Sequence, residues 1–481
     1  MRIHIVQPMM SHQTAPPALS RVLQPVQNTA YLLAALVPAG HEVKITDEYV
    51  SPVDPENDDS DLVGITFVTG FALRAYDLAR RFRARGAKVV LGGPHVTLLP
   101  GEAAKHADAI VLGEADETFP RLIADAEAGK LQPVYRAEHP PDAAIIPASR
   151  HDLVDRSKFY ISRTMQASRG CPFKCEYCTL PGFYGAGYRP RPVENVIAEV
   201  EQLGYRPGDP PIVFWDDNIV GNHRWAKKFF RELAHLRIKW MAQSTITLAE
   251  DAELARLAGE SGCVGVFCGL ESFSEASLSG VRKSFNRVSD YKRKLKVLHD
   301  NGISVTAGVV FGFDEDTPDI FDISVEAAED IALDGASIGI LIPYPGTPVY
   351  ERLNREGRIV TRDWSKYDGE HVVYRPRRMT PEQLDSGMRR ARRNFYSLRS
   401  IYRRLSRSRT ALPVSIAANV AYSIVARNGM ASPGIPPADV PDQARPGRDD
   451  VARYRVSLPV FDGWAPERRS ADGAAPDAAV D

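Results

Sequence analysis

Residues 164–181 have the sequence TMQASRGCPFKCEYCTLP, in which a short β-strand candidate, Thr164–Ala167, is followed by three cysteines. Cys171, Cys175 and Cys178 have the spacing C-x3-C-x2-C. A glycine before the first cysteine and a proline after it favour a loop that wraps around a bound group. Because structural zinc takes four ligands, three neighbouring thiolates favour a four-iron cluster with one iron open to an external ligand.

The other two cysteines, Cys263 and Cys268, leave a zinc site with a distant fourth ligand as an alternative, although buried core positions are more typical of such cysteines. The clustering of three cysteines differs from the spaced pairs of a secreted disulfide framework. The opening residues, MRIHIVQPMM, lack the long apolar region and cleavage site of a signal peptide. We therefore expect a cytoplasmic protein.

The composition is that of an ordinary globular protein, with 44% hydrophobic and 25% charged residues among 481, and it excludes a fibrous, collagen-like or wholly disordered chain. With 60 basic and 61 acidic residues the net charge is -1, which predicts no general attraction to nucleic acid or anionic membranes. The most apolar stretch, Ala411 to Ala426, is interrupted by Ser415, Asn419 and Ser423. It is shorter than the roughly 18–20 residues of a membrane span.

The first third of the chain alternates β-strand and helix candidates. Strands that alternate with helices at short intervals indicate βαβ units and a parallel, doubly wound sheet. We therefore predict an α/β, Rossmann-like domain over residues 1–135. The candidate elements are Arg2–Val6, Asn28–Leu36, His41–Thr46, Asp61–Phe67, Phe71–Arg85, Lys88–Leu91, Asp108–Leu112 and Thr118–Ala128.

After a proline-rich linker, residues 136–158, a second βα series is predicted over residues 159–345. Six such units predict a partial (β/α)6 barrel, whose chemistry belongs at the C-terminal ends of the strands. The strand candidates are Thr164–Ala167, Pro211–Phe214, Trp240–Gln243, Val264–Phe267, Val305–Phe311 and Ser337–Leu341.

A helical extension is predicted over residues 346–430, and residues 431–481 are expected to be disordered because they are rich in proline, alanine and aspartate. Within the extension, Arg375 to Arg409 contains twelve arginines and two acids, a local charge of +10. We expect these arginines to form a solvated helix face. A phosphorylated substrate or an acidic redox partner is the alternative.

The cysteine segment resembles the radical SAM superfamily, because Cys171, Cys175, Tyr177 and Cys178 fill its C-x3-C-x-aromatic-C motif. In that family the open iron of a [4Fe-4S] cluster binds S-adenosyl-L-methionine (SAM), and an electron from the cluster cleaves SAM to a 5′-deoxyadenosyl radical. The resemblance implies an enzyme whose cluster is held by these three cysteines. It also implies a small-molecule substrate and a flavodoxin- or ferredoxin-type electron donor.

The resemblance further implies SAM contacts at several strand ends. Trp215–Asn218 stands where the family often has a Gly-Gly-Glu turn, a departure that still leaves carboxylates for the SAM amine. Gly269–Ser272 resembles the GIES turn, and Gly308–Phe313 resembles the adenine-contacting segment. The SAM-binding candidates are Tyr177, Asp216, Asp217, Asn218, Gln243, Glu271, Ser272, Gly308, Phe311 and Gly312.

A Rossmann-like domain ahead of the barrel resembles the cobalamin-binding subclass, and Gly92–Ile123 is included in this resemblance. In that subclass the corinoid lies over the C-terminal edge of the sheet. The D-x-H-x-x-G signature that supplies a cobalt-ligating histidine is absent, so a domain that has lost the cofactor is an alternative, and without a GxGxxG motif NAD binding is unsupported. The cobalamin-binding candidates are Val68, Thr69, Gly70, Gly92, Gly93, Pro94, His95, Gly113 and Glu114.

Ile340–Ile359, Asp363–Met379 and the arginine-rich helices resemble the C-terminal extension of hopanoid C-methyltransferase-like proteins. The resemblance makes several extension residues candidates for the substrate pocket, with packing at a domain junction as the alternative. These candidates are Tyr344, Pro345, Tyr367, His371 and Tyr374.

Together these resemblances imply a cobalamin-dependent radical SAM enzyme that methylates an unactivated carbon of a secondary-metabolite or lipid substrate. Radical chemistry without methyl transfer is one alternative: dehydration, oxidative cyclisation or rearrangement on a sugar or antibiotic scaffold. A non-catalytic iron–sulfur electron carrier or sensor is another, although such a protein would not need the candidate SAM pocket. No general acid or base can be assigned from the sequence.

Overall fold

The computed structural model describes residues 1–9, 25–185, 187–408, 410 and 412–428. The disorder expected for residues 431–481 lies outside the described residues.

The N-terminal part is built on a sheet of six strands, all parallel, in the order β2-β1-β3-β4-β5-β6. The strands are β1 (Arg2–Gln7), β2 (Glu42–Asp47), β3 (Leu62–Thr66), β4 (Lys88–Gly92), β5 (Ala109–Leu112) and β6 (Val134–Arg136). The α-helices described beside them are α1 (Asn28–Ala35), α2 (Ala72–Ala84), α3 (Pro94–Leu98), α4 (Pro100–Ala103) and α5 (Thr118–Glu127). The predicted α/β fold with a parallel sheet is confirmed.

Both faces of this sheet are covered, which explains its nearly continuous apolar strands. In β4, Val89 and Leu91 belong to one buried cluster, whereas Val90 belongs to the cluster on the opposite face. The sixth strand was not predicted, and it runs one residue into the expected linker. Its three residues are too few to show a periodicity, but Tyr135 is buried and its hydroxyl donates to Asp125.

The second part is built on six parallel strands in the order β14-β13-β12-β11-β10-β7. No pairing closes β14 onto β7 within the described part of the chain, so the sheet is a partial barrel, as predicted. A separate antiparallel pair, β8 and β9, carries the first cysteine. The strands are β7 (Thr164–Met165), β8 (Ser168–Cys171), β9 (Gly187–Pro190), β10 (Ile212–Phe214), β11 (Trp240–Ser244), β12 (Cys263–Glu271), β13 (Ser304–Phe311) and β14 (Gly335–Ile340).

Amphipathic helices lie between these strands and bury their apolar faces against them. In the helix His223–Ala234, for example, Phe229, Phe230 and Leu233 are buried, and the Asn222 side chain caps the first turn by accepting from Trp225 N. The α-helices of this part are α6 (Leu180–Tyr184), α7 (Val193–Gln202), α8 (His223–Ala234), α9 (Ala252–Glu260), α10 (Glu275–Gly280), α11 (Tyr291–Asp300) and α12 (Ile320–Asp330).

The C-terminal extension packs on the barrel through apolar faces of its helices. Among its arginines, Arg393 and Arg399 are exposed as expected. Arg404 is not, because its guanidinium is buried 3.7 Å above the Phe395 ring and donates to Leu333 O. The helices are α13 (Pro348–Arg355), α14 (Pro381–Phe395), α15 (Leu398–Leu405) and α16 (Leu412–Asn428).

A search of the described helices finds none that combines the length and apolar character needed to cross a membrane.

Candidate active site

Cys171 is the last residue of β8, and Cys175 and Cys178 lie in the loop that follows it. Cys178 N donates to Cys175 O at 3.1 Å, which closes the loop into a tight turn. All three side chains are free thiols. Burial raises the pKa of Cys171 and that of Cys178, the latter to about 12. Cluster binding must therefore displace protons from these thiols.

Hydrogen bonds to this loop fit a metal cluster. Burial raises the pKa of Cys171, but the backbone N–H of Phe173 and the Asn218 amide, 3.9 Å from Cys171 Sγ, lower it. The backbone N–H of Leu180 acts in the same way on Cys178. Hydrogen bonds to sulfur are a common feature of protein-bound iron–sulfur clusters.

No three His, Cys, Asp or Glu side chains converge on a single metal ion in the part of the chain that the structure describes. Cys263 and Cys268 are buried in β12, where Cys263 Sγ donates to Gly265 O at 3.6 Å. This disfavours the zinc alternative. A four-iron cluster takes each thiolate on a different iron and does not need such convergence.

A buried lysine lies beside the cysteine loop. The Lys283 side chain is 7% exposed, and its Nζ is 2.7 Å from Glu271 Oε1 and 3.0 Å from Tyr177 Oη. Burial raises the pKa of the Cys175 thiol, and the positive charge of Lys283 lowers it. Tyr177 and Glu271, which were both predicted to contact SAM, thus contact the same cation, Lys283, next to the loop. The sequence analysis missed Lys283, because no motif marks it in the charged segment that contains it.

The two aspartates after β10 have different surroundings. Asp216 is fully buried and accepts from Ala167 N at 3.1 Å and from the Ser168 hydroxyl, so it fixes the connection between β7 and β8. Burial raises its pKa to about 7. Asp217 accepts from Gly170 N at 3.0 Å, and burial raises its pKa to about 6. Only the second aspartate reaches an open cavity.

The remaining strand-end candidates lie along the same side of the barrel. Glu271 has a positive φ of 66° where the pairing of β12 with β13 shifts register. Ser272 is buried, and its hydroxyl accepts from Ser274 N at 3.1 Å. The ring of Phe267 lies beside Gly308.

The turn after β13 is tied to the extension. Gly312 has a φ of +100°, and its carbonyl accepts from the Tyr374 hydroxyl at 2.6 Å. A Cβ at Gly312 would lie 2.2 Å from that hydroxyl, so glycine is required there. Phe311 is buried and makes an edge contact with Phe321.

A cavity of about 540 Å³ lies between the C-terminal edge of the first sheet and the barrel. Gln166, Arg169 and Trp215 line it on the barrel side. Residues that were predicted for two different cofactors thus face one space. The predicted residues that line it are Val68, Gly92, Gly93, Pro94, Gly113 and Glu114 for cobalamin, and Asp217 and Gln243 for SAM.

The glycines at the sheet edge leave room for a flat ligand. A Cβ at Gly92 would lie 3.8 Å from Val111, and one at Gly113 would lie 3.9 Å from Phe183 O. These positions have space that a side chain would fill, which fits a corinoid held against the backbone. Gly93 is different, because its φ of +103° and a Cβ 2.7 Å from a backbone oxygen require glycine for the turn itself.

Three of the cobalamin candidates do not line the cavity. Thr69 and Gly70 are buried, and His95 is 0% exposed. The His95 ring is 3.1 Å from Tyr76 Oη and 3.2 Å from Thr69 Oγ1. The same network continues to Glu102, whose carboxylate accepts from Trp364 Nε1 in the extension. His95 is therefore a core histidine in this structure.

An ion-pair network joins the first sheet to the cysteine strand. The guanidinium of Arg169, in β8, lies 2.6 Å from Glu114 and 2.6 Å from Asp116 in the loop after β5. Arg189 contacts the other oxygen of Glu114. The sequence analysis did not single out Arg169, although it stands two positions before Cys171. Its partners are distant in sequence, so no local pattern identifies them.

Tyr367, His371 and Tyr374 lie in the extension, and none of the five predicted substrate residues is among the described residues that line the cavity. Tyr367 is buried against Trp364, with ring centroids 4.8 Å apart. His371 is 45% exposed and pairs with Asp368, which raises its pKa. Two more candidates, Tyr344 and Pro345, follow β14; burial raises the pKa of Tyr344 to about 12.

Comparisons with known proteins agree with this layout. Residues 165–327 match the family model of the Radical SAM superfamily, and residues 24–123 match that of the B12 binding domain. These two ranges place the B12 binding domain ahead of the radical SAM domain.

Several curated relatives are methyltransferases. Bacteriochlorophyllide d C-12(1)-methyltransferase of Chlorobaculum tepidum is 29% identical over 78% of this chain and 83% of its own length. Bacteriochlorophyllide d C-8(2)-methyltransferase of the same organism is 31% identical over 73% of this chain and 81% of its own length. The hopanoid C-2 methylase of Rhodopseudomonas palustris is 28% identical over 69% of this chain and 65% of its own length.

More distant relatives include the anaerobic magnesium-protoporphyrin IX monomethyl ester cyclase of Cereibacter sphaeroides, which is 25% identical over 65% of this chain and 56% of its own length. Among solved structures, the radical SAM methyltransferase TsrM from Kitasatospora setae, with cobalamin and a [4Fe-4S] cluster bound, has a TM-score of 0.57. It is 19% identical and covers 74% of this chain and 78% of its own, a likeness in fold. The chain belongs to the radical SAM superfamily, in the group that carries a B12 binding domain ahead of the radical SAM domain.

Proposed function

We propose that the protein is a cobalamin-dependent radical SAM C-methyltransferase that acts on an unactivated carbon of a small secondary-metabolite or lipid molecule. One observation carries the proposal. The glycine-lined edge of the first sheet and the strand that leads into the cysteine loop face the same cavity of about 540 Å³. A methyl donor on one side and a radical source on the other would both reach one substrate carbon there.

The proposed division of the chain follows from these sites. Residues 1–135 bind the corinoid, residues 136–158 connect the two parts, residues 159–345 form the radical SAM barrel, and residues 346–430 form the extension. When bound, the cluster supplies the electron that cleaves SAM, and the corinoid supplies the methyl group. The protein's own residues bind these groups, orient them and exclude water from the cavity.

In this proposal the cluster is bound by Cys171, Cys175 and Cys178. Lys283 provides a buried positive charge next to the loop, and its ion pair with Glu271 keeps both groups charged away from water. Asp217 accepts from a backbone N–H and still faces the cavity, so it is available to the ammonium group of SAM. The other proposed SAM contacts are Tyr177, Asn218, Gln243, Ser272, Gly308, Phe311 and Gly312.

The corinoid contacts that the geometry supports are Val68, Gly92, Gly93, Pro94 and Glu114, together with Gly113. These positions offer backbone groups and small side chains. We propose that the corinoid is held without a histidine from the sheet-edge loops that the structure describes, since His95 is enclosed by its own network.

We also propose an electron donor and a cellular compartment for the enzyme. Reductive cleavage of SAM requires an electron, and we propose a flavodoxin- or ferredoxin-type donor. The five cysteines are all free thiols, which supports a reducing compartment such as the cytoplasm.

Radical cyclisation without methyl transfer is the second candidate function. Its support is the similarity to the magnesium-protoporphyrin ester cyclase, which is 25% identical over 65% of this chain. The two functions predict different SAM products, so a single experiment separates them.

The test is an anaerobic assay of the full-length protein after cluster reconstitution, with cobalamin, SAM and a chemical reductant. S-adenosylhomocysteine together with 5′-deoxyadenosine is expected from the methyltransferase. 5′-Deoxyadenosine alone would favour the cyclase-type reaction, and intact SAM would contradict both functions. Cys175→Ala should abolish SAM cleavage, whereas Cys263→Ala, which removes a thiol outside the loop, should retain it.

A further inference from the structure

In the last described helix, α16, two polar side chains are buried and three apolar side chains are exposed. Asn419 and Ser423 are buried, whereas Ile416, Val420 and Ile424 are 47%, 42% and 54% exposed. Surface helices of globular proteins have the opposite arrangement, with apolar residues inside. From Leu412 to Ala426 the chain has no charged residue at all. No charged side chain of this segment therefore interrupts the stripe of exposed apolar residues, Ile416, Val420 and Ile424.

Buried hydrogen bonds hold α16 in this orientation. The Asn419 amide donates to Asp334 O at 2.8 Å and accepts from Arg404 at 2.9 Å. The ring of Tyr422 stacks on Tyr396 with centroids 5.5 Å apart. Rotating the helix to bury its isoleucines would leave the Arg404 guanidinium and the Asn419 amide without these partners, at a cost in free energy. The apolar stripe is thus fixed on the outside.

The neighbouring helix α15 contributes to the same surface. It packs against α16, and it exposes Leu398 and Tyr402, whose exposed fractions are 65% and 75%. Arg399 and Arg403 lie beside them and are also exposed. Arg393, Arg399 and Arg407 form no ion pair with a described carboxylate.

We propose that α16 and the outer face of α15 bind the surface of an anionic lipid bilayer, with α16 lying in the plane of the interface. Apolar side chains on one face of such a helix enter the boundary between head groups and acyl chains. Arginines nearby attract anionic head groups, and an exposed tyrosine is typical of this interface. No helix of the described residues is long and apolar enough to span the membrane, and α16 would lie on its surface instead.

Local charge selects lipid over a second copy of the chain. On this face Arg399 and Arg407 are exposed without a described carboxylate partner, and the chain has no acidic residue from Asn394 to Asn428. A symmetric dimer through this face would bring these arginines together, and like charges repel. Anionic lipid offers the opposite charge. The inference does not depend on the proposed reaction, because it rests on a surface that does not line the cavity.

The test is co-sedimentation of the full-length protein with vesicles of phosphatidylcholine containing phosphatidylglycerol. We expect binding that is at least tenfold weaker on pure phosphatidylcholine and that falls with added salt. Ile424→Glu should weaken binding by more than tenfold, and Arg399→Gln by about fivefold. Two substitutions at other exposed positions are the matched controls. Ile145→Glu changes a residue that is 50% exposed in the linker, and Arg231→Gln replaces an exposed arginine of α8. Both should bind like the native chain.

Several results would overturn the inference. One is that the native chain does not sediment with the anionic vesicles. Another is that Ile424→Glu binds these vesicles as well as Ile145→Glu does. A native dimer in solution that Ile424→Glu converts to a monomer would identify a second copy as the occupant. The chain beyond residue 428 contains one apolar run, Leu458–Phe461, and vesicle binding that appears only after Phe461→Asp would point to that run as the cover. Thermal unfolding of each variant checks that the substitutions leave the fold intact.

Discussion

The C-terminal edges of the first sheet and of the barrel are built by different means. The edge of the first sheet presents glycine and proline to the cavity, as at Gly92, Pro94 and Gly113, so that backbone lies close to the open space. The barrel edge, beside the cysteine loop, has charged side chains that are buried and paired, such as Lys283 with Glu271. The first edge suits a large group that is held by shape, and the second suits a small charged group that is held by electrostatics. A substitution should therefore damage one edge by adding bulk and the other by removing a partner.

The largest expected effect on ligand binding comes from bulk at the sheet edge. Gly92→Val should weaken cobalamin binding roughly 100-fold, because the new side chain fills space at the cavity wall. Iron content and SAM cleavage should remain, since the barrel edge is untouched. Cobalamin titration followed by visible absorbance measures the first, and product analysis measures the second.

The matched control for this substitution is Gly280→Val, at a position where an added Cβ meets nothing within 4 Å. It should bind cobalamin like the native protein. Native affinity in Gly92→Val would contradict the assignment of this edge to the corinoid.

Removing a partner at the barrel edge should come next. Lys283→Met leaves the Glu271 carboxylate buried without its cation, which should lower the free energy of unfolding by about 3–5 kcal/mol. The double variant Lys283→Met, Glu271→Gln should regain much of that stability while SAM cleavage stays low. Urea unfolding and a SAM-cleavage assay measure the two effects.

An exposed pair serves as the control, since Lys292 and Asp330 are 67% and 58% exposed. Lys292→Met should cost less than about 1 kcal/mol. If Lys283→Met were equally mild, the buried pair would not be the basis of the barrel edge.

A smaller effect is expected where the two edges are joined. Arg169→Lys keeps the charge but loses the geometry that contacts both Glu114 and Asp116. On the proposed function, we expect about tenfold less methylated product for each 5′-deoxyadenosine formed, with native iron content. Quantifying both products in one reaction tests this. An unchanged ratio in Arg169→Lys would restrict the network to a structural role.

A separate effect concerns the dependence of stability on pH. Burial raises the pKa of Asp216 to about 7, from 3.8 in the unfolded chain. The folded state therefore favours the protonated carboxyl, and the stability this provides is full below about pH 4 and lost as the pH rises towards 7. In Asp216→Asn, the free energy of unfolding should therefore decline between pH 4 and 7 by on the order of 2 kcal/mol less than in the native protein. Asp217, whose pKa is also raised, should leave a residual slope.

Thermal unfolding of Asp216→Asn and the native protein across pH 4–7 provides the measurement. Asp59→Asn, at an aspartate whose side chain is 79% exposed, is the control and should follow the native curve. Parallel curves for Asp216→Asn and the native protein would show that this carboxyl does not titrate in the range.

The features that sequence predicted are those with a local signature. The cysteine spacing is contained in eight residues, and strands such as β4 show their apolar runs directly. The sequence also predicted SAM and cobalamin contacts at the C-terminal ends of parallel strands, which share one edge, and these contacts stay predictions. Local patterns were thus sufficient for the fold.

What the sequence could not predict is which side chains meet across the fold. Lys283 and Tyr177 are 106 positions apart, and Arg169 and Asp116 are 53 positions apart. Likewise, His95 belongs to a segment whose sequence resembles a cofactor site, yet it lies in α3 and the surrounding elements enclose it. Such contacts depend on how helices and loops pack, which periodicity does not encode.

One of these contacts has a consequence for how the chain is made. Trp364 Nε1 donates to Glu102 at 2.9 Å, and the two residues are 262 positions apart. During synthesis the first sheet is complete long before Trp364 leaves the ribosome. Until then the Trp364 indole does not cover the Glu102 carboxylate and the neighbouring His95, so water must hydrate these groups. The N-terminal part therefore reaches its final packing only when the extension has been translated, and a fragment that ends before Trp364 should be easier to digest with protease.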